Sequence, residues 1–312
     1  MKHRLLVLFS AVSLLSSIGC TQPQAGANSS LPAKAPGRYV ESLTSAGIPR
    51  SYILRVPRGY DGKKRLPLVV LLHGWTGSAK TSEMSTRMGI KAQQEDFVLA
   101  IPDGLGNPQG WNAGFIDLSG KKQDDVAFID KLIEQVESEV GIDPDRVYVA
   151  GHSNGAMMTN LIGAKLSHKV AAIAAVAGSI GVPKKEGGFN SIPEPVGPVS
   201  VLLIHGKQDK MVQYESTAQA LLHVIGAMDS AKWWAKNNGC KLEPKETTST
   251  NANIITTTFE RGKDRTEVSL ISILNGTHDW PGGIGLNGVE MATGLNATDV
   301  IWDFFKSHPK KH

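Results

Sequence analysis

"VYVAGHSNGAMMTN" (residues 147–160) is the stretch on which the reading of this chain turns. Its first residues are β-branched and strand-like, its last are rich in Ala and Met and suit a helix, and Gly151-His152-Ser153-Asn154-Gly155 is jammed between them. A Gly-x-Ser-x-Gly between a strand and a helix is a nucleophile elbow. The chain must reverse so tightly that the serine takes a strained backbone, and glycine on either side removes side chains that would collide with the neighbouring strand and helix. The hydroxyl then stands at a helix N-terminus, where free N–H groups and the helix dipole favour negative charge. The plain alternative is a helix N-cap at Ser153.

Outward from this stretch the same alternation recurs. "RYVESLTSAG" and "IPRSYILRVP" read as an antiparallel pair, and apolar runs at Leu68–Leu72, Phe97, Val147, Val170 and Val201 read as strands buried on both faces. Helical patterns lie between them, at about 78–95, 125–140, 154–167 and 216–237, and a closing helix follows at about 297–306. Two further strands are read at "NIITTTFE" and "TEVSLISIL". Strand–helix alternation predicts an α/β fold with a mostly parallel, twisted sheet covered by helices on both faces. In such sheets ligands collect beyond the carboxyl ends of the strands. Three long Gly-rich loops, 104–123, 178–198 and 281–294, stand there, and long loops in a compact domain are usually functional.

A serine near neutral pH needs a base and an orienting carboxylate, in the chain order Ser, Asp/Glu, His. Asp209 follows the run "VSVLLIHG" and His278 follows "TEVSLISILNG", so both stand at strand carboxyl ends. Asp209 as a turn-capping carboxylate is the rival reading, with Asp279 and Glu215 as competing acids. His73, His152, His168, His205, His223, His308 and His312 are read as packing or solvent-exposed groups, His152 pointing away from Ser153. Acyl transfer also needs two donors for the developing oxyanion. Asn154 N–H follows the nucleophile, and the loop "HGWTG" (73–77) supplies Trp75 N–H, with Thr76 N–H as the alternative.

The N-terminus stands apart from the fold. Lys2 and Arg4 precede an apolar run from Leu5 to Leu15 and then "SSIGC", a secretory signal too short to span a bilayer. Its end resembles a bacterial lipobox in which Cys20 is lipidated, with Ser17 where Leu is usual; cleavage after "AGA" (25–27) is the rival. Residues 1–20 are thus read as a signal, 21–36 as a flexible tether and 37–312 as one catalytic domain, in a protein exported as an envelope lipoprotein or in secreted or periplasmic form. A formal charge of +4, falling to +2 without Lys2 and Arg4, argues against nucleic acid as a partner. The membrane is met only through a lipid on Cys20. With two cysteines and no closely spaced Cys pair, neither a disulfide, a metal site nor another cofactor is expected.

The motifs "LLHGWTGSA", "GWNAGF", "DDVAFIDKLIEQVESEVGIDPDRVYVAGHSNGAMM", "HGKQDKMV", "WAKNNGC" and "THDWPGG" resemble those of secreted α/β-hydrolase esterases. The group comprises polyhydroxybutyrate-depolymerase-like proteins and feruloyl and acetylxylan esterases of the first carbohydrate-esterase family. The resemblance runs from about Arg38 to Phe305 and implies an α/β-hydrolase fold with Ser153 as nucleophile, His278 as base and Asp209 as its partner. Relatives often carry Cys after the His-Gly and after "GWNAGF", where this chain has Trp75 and residues 116–118; Cys240 has thereby lost a disulfide partner. Trp111, Phe115, Phe189, Trp75 and Trp280 are read as an aromatic platform suited to a feruloyl or sugar ring, Trp111, Phe115 and Trp280 being the named substrate contacts, against the alternative that they pack the loops. The expected activity is hydrolysis of small or polymeric esters. A prolyl-oligopeptidase-type peptidase and a tethered binding protein with a dormant hydrolase fold are the other readings.

Overall fold

The computed structural model describes residues 31–32, 34–184, 188–216, 224–250, 253–285 and 294–310, together with Met1. The expected signal with Cys20, most of the expected tether, His223, His312 and part of the 281–294 loop lie outside the described residues. Strands β1 (Gly37–Ser45) and β2 (Ile48–Val56) form the expected antiparallel pair, joined by Ala46 and Gly47 at φ 49° and 78°. Positive φ at both turn residues matches the right-handed twist of the strands it connects.

The parallel body follows. It holds β3 (Leu66–Leu72) and β4 (Val98–Pro102); after a small hairpin of β5 (Leu105–Gly106) and β6 (Gln109–Gly110) come β7 (Ile142–His152) and β8 (Ala172–Val176). A second small hairpin, β9 (Gly181–Pro183) with β10 (Phe189–Ser191), precedes β11 (Ser200–Gly206). The edge is completed by β12 (Lys245–Thr248), β13 (Ile254–Phe259) and β14 (Val268–Ile273). The ten-stranded sheet has the order β1-β2-β4-β3-β7-β8-β11-β14-β13-β12, parallel from β4 through β14 and antiparallel at both edges. Every residue of β3, β4, β8, β11 and β14 is buried, which explains why these strands read as unbroken apolar runs.

Successive side chains leave a strand on opposite faces, and this divides the core in two. Leu68, Val70 and Leu72 join Phe128 and Leu132 of α3 (Asp125–Glu139), Ile162 of α4 (Asn154–Lys165) and Trp234 of α5 (Ala227–Asn238). Val69 and Leu71 face the other way, toward Ala79, Ala92, Ile301 and Phe305. Those last residues belong to the region 79–95 and to the closing helix Ala297–Ser307, α6. Phe97 stacks on Trp302 at 4.2 Å and Tyr148 on Phe305 at 4.6 Å.

Two helices depart from expectation. The helix read over 78–95 is divided by Arg87, at φ 56°, into α1 (Ala79–Thr86) and α2 (Met88–Glu95). Of the helix read over 216–237, residues 217–223 lie outside the described residues, 224–226 are not helical, and α5 begins at Ala227. Ser216 instead accepts the Gly226 N–H on its hydroxyl (2.7 Å) and donates to Asp229 (2.6 Å), tying the entry to α5 from outside it.

Candidate active site

Ser153 sits between β7 and α4 at φ 54° and ψ −120°, a conformation that costs about 1–3 kcal/mol for a non-glycine residue. Packing compels it. A Cβ on Gly151 would lie 2.4 Å from the Gly155 carbonyl oxygen, and one on Gly155 would lie 2.4 Å from the Leu72 carbonyl oxygen. Strand β3, strand β7 and helix α4 therefore meet at backbone-to-backbone distance only because both positions lack side chains. The Ser153 N–H is held by the Val176 carbonyl at 2.9 Å, which fixes the turn against β8.

The ends of three strands converge here. His278, just beyond β14, places Nε2 2.8 Å from Ser153 Oγ and Nδ1 2.7 Å from Asp209 Oδ2. Asp209, just beyond β11, has its side chain fully buried. Its other oxygen accepts the N–H groups of Met211 (2.8 Å) and Val212 (2.9 Å). Burial pushes the Asp209 carboxyl up, yet hydrogen bonds from His205 and His278, with the attraction of both rings, hold it well below the usual carboxylate range. The competing acids stand elsewhere: Glu215 is exposed, and Asp279 accepts from the Thr277 hydroxyl.

Two histidines read as packing groups belong to this cluster. His205 Nε2 lies 3.3 Å from Asp209 Oδ2 while bonding the Val212 carbonyl at 2.7 Å. Its signal in the sequence is the four-residue spacing within "HGKQD". His152 lies beside the base rather than apart from the site: its ring is 5.2 Å from that of His278 and 6.4 Å from that of Trp280. Burial, then the neighbouring His278, pushes the His152 imidazole down to about 3, so the ring is neutral at ordinary pH.

The loop after β3 curls over Ser153. Gly74 allows this, since a Cβ there would lie 3.3 Å from Ser153 Cβ. Thr76 N–H is engaged by the Gln109 carbonyl at 2.9 Å, whereas neither Trp75 N–H nor Asn154 N–H, at the first position of α4, has a carbonyl partner among the described residues. His73 holds this loop from beneath: Nδ1–H donates to the Gly74 carbonyl (2.8 Å) and Nε2 accepts the Gly104 N–H (2.8 Å).

The aromatic platform needs correcting. Trp111 is fully buried, its Nε1–H donating to the His73 carbonyl at 2.8 Å, and Trp280 is 5% exposed, its Nε1–H donating to Thr298 Oγ1 at 3.0 Å. Both are struts, because an indole whose N–H finds a buried acceptor gains more by packing than by standing in water. Phe115 is half-buried against the core, while Trp75 and Phe189 are about half exposed (47% and 51%).

A second network missed from sequence supports the Trp111 segment. Asn154 Oδ1 accepts the Trp111 N–H (2.7 Å) and its Nδ2 donates to the Trp111 carbonyl (3.2 Å). The next residue, Asn112, donates its N–H to Asp125 Oδ2 (2.9 Å), and Asp125 pairs with buried Arg50 at 2.8 Å. Burial raises the Asp125 carboxyl and lowers the Arg50 guanidinium, each against the pull of its partner. The Asp-Asp of the long central motif thus has two tasks, Asp124 capping α3 through the Ala127 N–H (3.0 Å) and Asp125 anchoring the loop.

Residues 60–232 match the phospholipase/carboxylesterase family. Among similar proteins, feruloyl esterase B of Piromyces equi is 32% identical over 236 residues, spanning 73% of this chain but only 42% of that protein's length. Feruloyl esterase C of Emericella nidulans is 26% identical over 301 residues, covering 93% of this chain and 96% of that one. The solved structure of acetyl xylan esterase from Aspergillus awamori superposes with a TM-score of 0.59 at 17% identity, covering 86% of this chain and 99% of that one. Sheet order, covering helices and this match over more than half of its length agree: the chain belongs to the phospholipase/carboxylesterase family, carboxylic-ester hydrolases on the α/β-hydrolase fold.

Proposed function

We propose that this protein is an exported serine carboxylesterase in which Ser153, His278 and Asp209 carry the reaction. The observation that carries the reading is the unbroken row from Ser153 Oγ to His278 Nε2 (2.8 Å) and from His278 Nδ1 to Asp209 Oδ2 (2.7 Å). His278 takes the hydroxyl proton as Ser153 Oγ attacks the ester carbonyl, and returns it to the departing alcohol. Asp209, ionised and buried, fixes the tautomer with Nδ1–H toward itself and stabilises the imidazolium that forms. The oxyanion is received by the N–H groups of Asn154 and Trp75; the Gln109 carbonyl's hold on Thr76 N–H supports Trp75 over its neighbour. Water activated by the same histidine then releases the acyl group.

The substrates proposed are feruloyl or acetyl esters of polysaccharides, or hydroxyalkanoate esters. The named relatives support the first two, and the exposed rings of Trp75 and Phe189 supply aromatic surface. Ser153→Ala is expected to lower kcat on p-nitrophenyl acetate by about 10⁴–10⁶-fold and to abolish labelling by a fluorophosphonate. Retained turnover in that variant rejects the assignment. Rates on methyl ferulate, acetylated xylan and hydroxybutyrate oligomers, compared at equal enzyme concentration, identify the acyl group.

A further inference from the structure

The amino ends of β8, β11 and β14 form the rim of the sheet opposite Ser153, and a cavity of about 230 Å³ opens there. Its floor is Ser167, Val170 and Pro198; Lys310, Arg265 and His168 stand around it. Ser167 is 2% exposed, and its buried hydroxyl has no hydrogen-bond partner among the described residues. A buried hydroxyl left unpaired costs about 1–3 kcal/mol, so this one calls for an acceptor from within the cavity.

The charges around it are unbalanced in one direction. Neither Arg265 nor Lys310 has a carboxylate within ion-pair distance among the described residues. Asp264 is the one carboxylate lining the cavity, exposed like its neighbour Arg265 and not within ion-pair distance of it. Glu267, nearby, is engaged by the Ser269 hydroxyl at 2.8 Å and faces His308 at 3.9 Å. Helices α4 and α6 both end at this rim, and helix C-termini carry partial negative charge. Here two carbonyls at those ends are already met: Lys310 Nζ donates to that of Ser167, just past α4, and His308 Nδ1–H to that of Phe304 at 2.8 Å. Burial lowers the Lys310 ammonium from its ordinary value against the distant pull of Asp145 and Asp264, the behaviour of a cation short of a counter-charge.

We infer that this cavity binds a small organic oxyanion, a sugar-sized molecule bearing a carboxylate or a phosphate, with Arg265 and Lys310 meeting the charge and Ser167 Oγ donating a hydrogen bond. Pro198, part-exposed above buried Val170, offers the apolar surface against which a ring face packs, and the volume exceeds what an inorganic anion fills. The site lies across the sheet from the ester-hydrolysing centre, so its existence does not rest on the chemistry assigned to Ser153.

The test is calorimetric titration of the full-length protein with glucuronate, glucose 6-phosphate and neutral glucose. One or both charged sugars are expected to bind saturably, with Kd on the order of 1 mM or tighter, and neutral glucose not to bind; which charged sugar binds identifies the head group. Arg265→Gln and Ser167→Ala are expected to weaken binding by about tenfold or more while leaving p-nitrophenyl acetate hydrolysis unchanged. Lys310→Gln is a third variant, whose folding is checked by circular dichroism because Lys310 also holds the Ser167 carbonyl. No saturable binding of either charged sugar, equal binding of glucose, or unaltered affinity in both Arg265→Gln and Ser167→Ala overturns the inference.

Discussion

At Asp209, three hydrogen bonds and one longer contact converge on a buried carboxylate: two backbone N–H groups on one oxygen, the ring of His278 on the other, and beside it His205 Nε2 at 3.3 Å, whose N–H is shared with the Val212 carbonyl. Removing His205 should therefore act through Asp209. His205→Phe is expected to lower kcat on p-nitrophenyl acetate by about tenfold, the scale of losing a hydrogen bond to a charged group, with KM little changed. Because the carboxyl is held below its unfolded-chain value of about 3.9, its ionised form stabilises the fold above that pH. The contribution is lost as pH falls from there toward the native value. Asp209→Asn should flatten this acid limb in urea melts. His152 works in a higher window. With a folded value of about 3 against about 6.5 in the unfolded chain, the unfolded state binds more protons between those limits, and stability falls as pH is lowered through them. Between pH 7 and 5 the wild type should lose about 2 kcal/mol more than His152→Phe; equal slopes would show that the ring is not held neutral.

The joint between β7 and α4 is where strand, turn and helix press on one another. Gly155→Ala puts a methyl group 2.4 Å from the Leu72 carbonyl oxygen, so β3 or α4 must shift and Ser153 with it. Its thermal midpoint and kcat should fall together. Helix α3 acts at a distance through its first residue: Arg50 and Asp125 are both almost wholly buried and in contact at 2.8 Å. Removing one member strands the other, so Arg50→Met is expected to cost about 3–5 kcal/mol in chemical denaturation, whereas Arg50→Met combined with Asp125→Leu should restore much of that. Within the helix read over 216–237, Gly226 is extended at φ −62° and ψ 164°, so residues 224–226 form the entry of α5 rather than part of it. Its first helical residue follows Gly226, whose N–H is taken by Ser216. The break at Arg87 likewise depends on a left-handed residue that no periodicity announces.

Across the molecule, two helical layers close the sheet, and α6 seals one of them. Phe305→Ala removes a fully buried ring stacked on Tyr148 at 4.6 Å, and should cost about 3–5 kcal/mol while leaving kcat at 25 °C within about twofold. Loss of activity at constant stability would place α6 in the reaction. Among the described residues no helix is long and apolar enough to cross a membrane. The two expected fates of the N-terminus are separated by fractionating cells that carry Cys20→Ser: a lipid on Cys20 predicts a shift from the membrane pellet to the soluble envelope fraction, whereas cleavage after residues 25–27 predicts no shift.

The amino-acid sequence by itself determined the alternation of strands and helices, the buried character of the central strands and the identity of Ser153, Asp209 and His278 as candidates. Each of these leaves a local mark: an unbroken apolar run, a glycine-flanked turn, or a polar residue just past a strand. Tertiary structure alone decided which side chains meet. Trp111 and Trp280 became struts because buried acceptors lay within reach of their N–H groups, Thr76 lost its free N–H to Gln109, and His152 and Arg50 acquired partners on other elements. Such contacts join residues far apart in the chain and arise from how the loops fold back over the sheet, which neither composition nor spacing records.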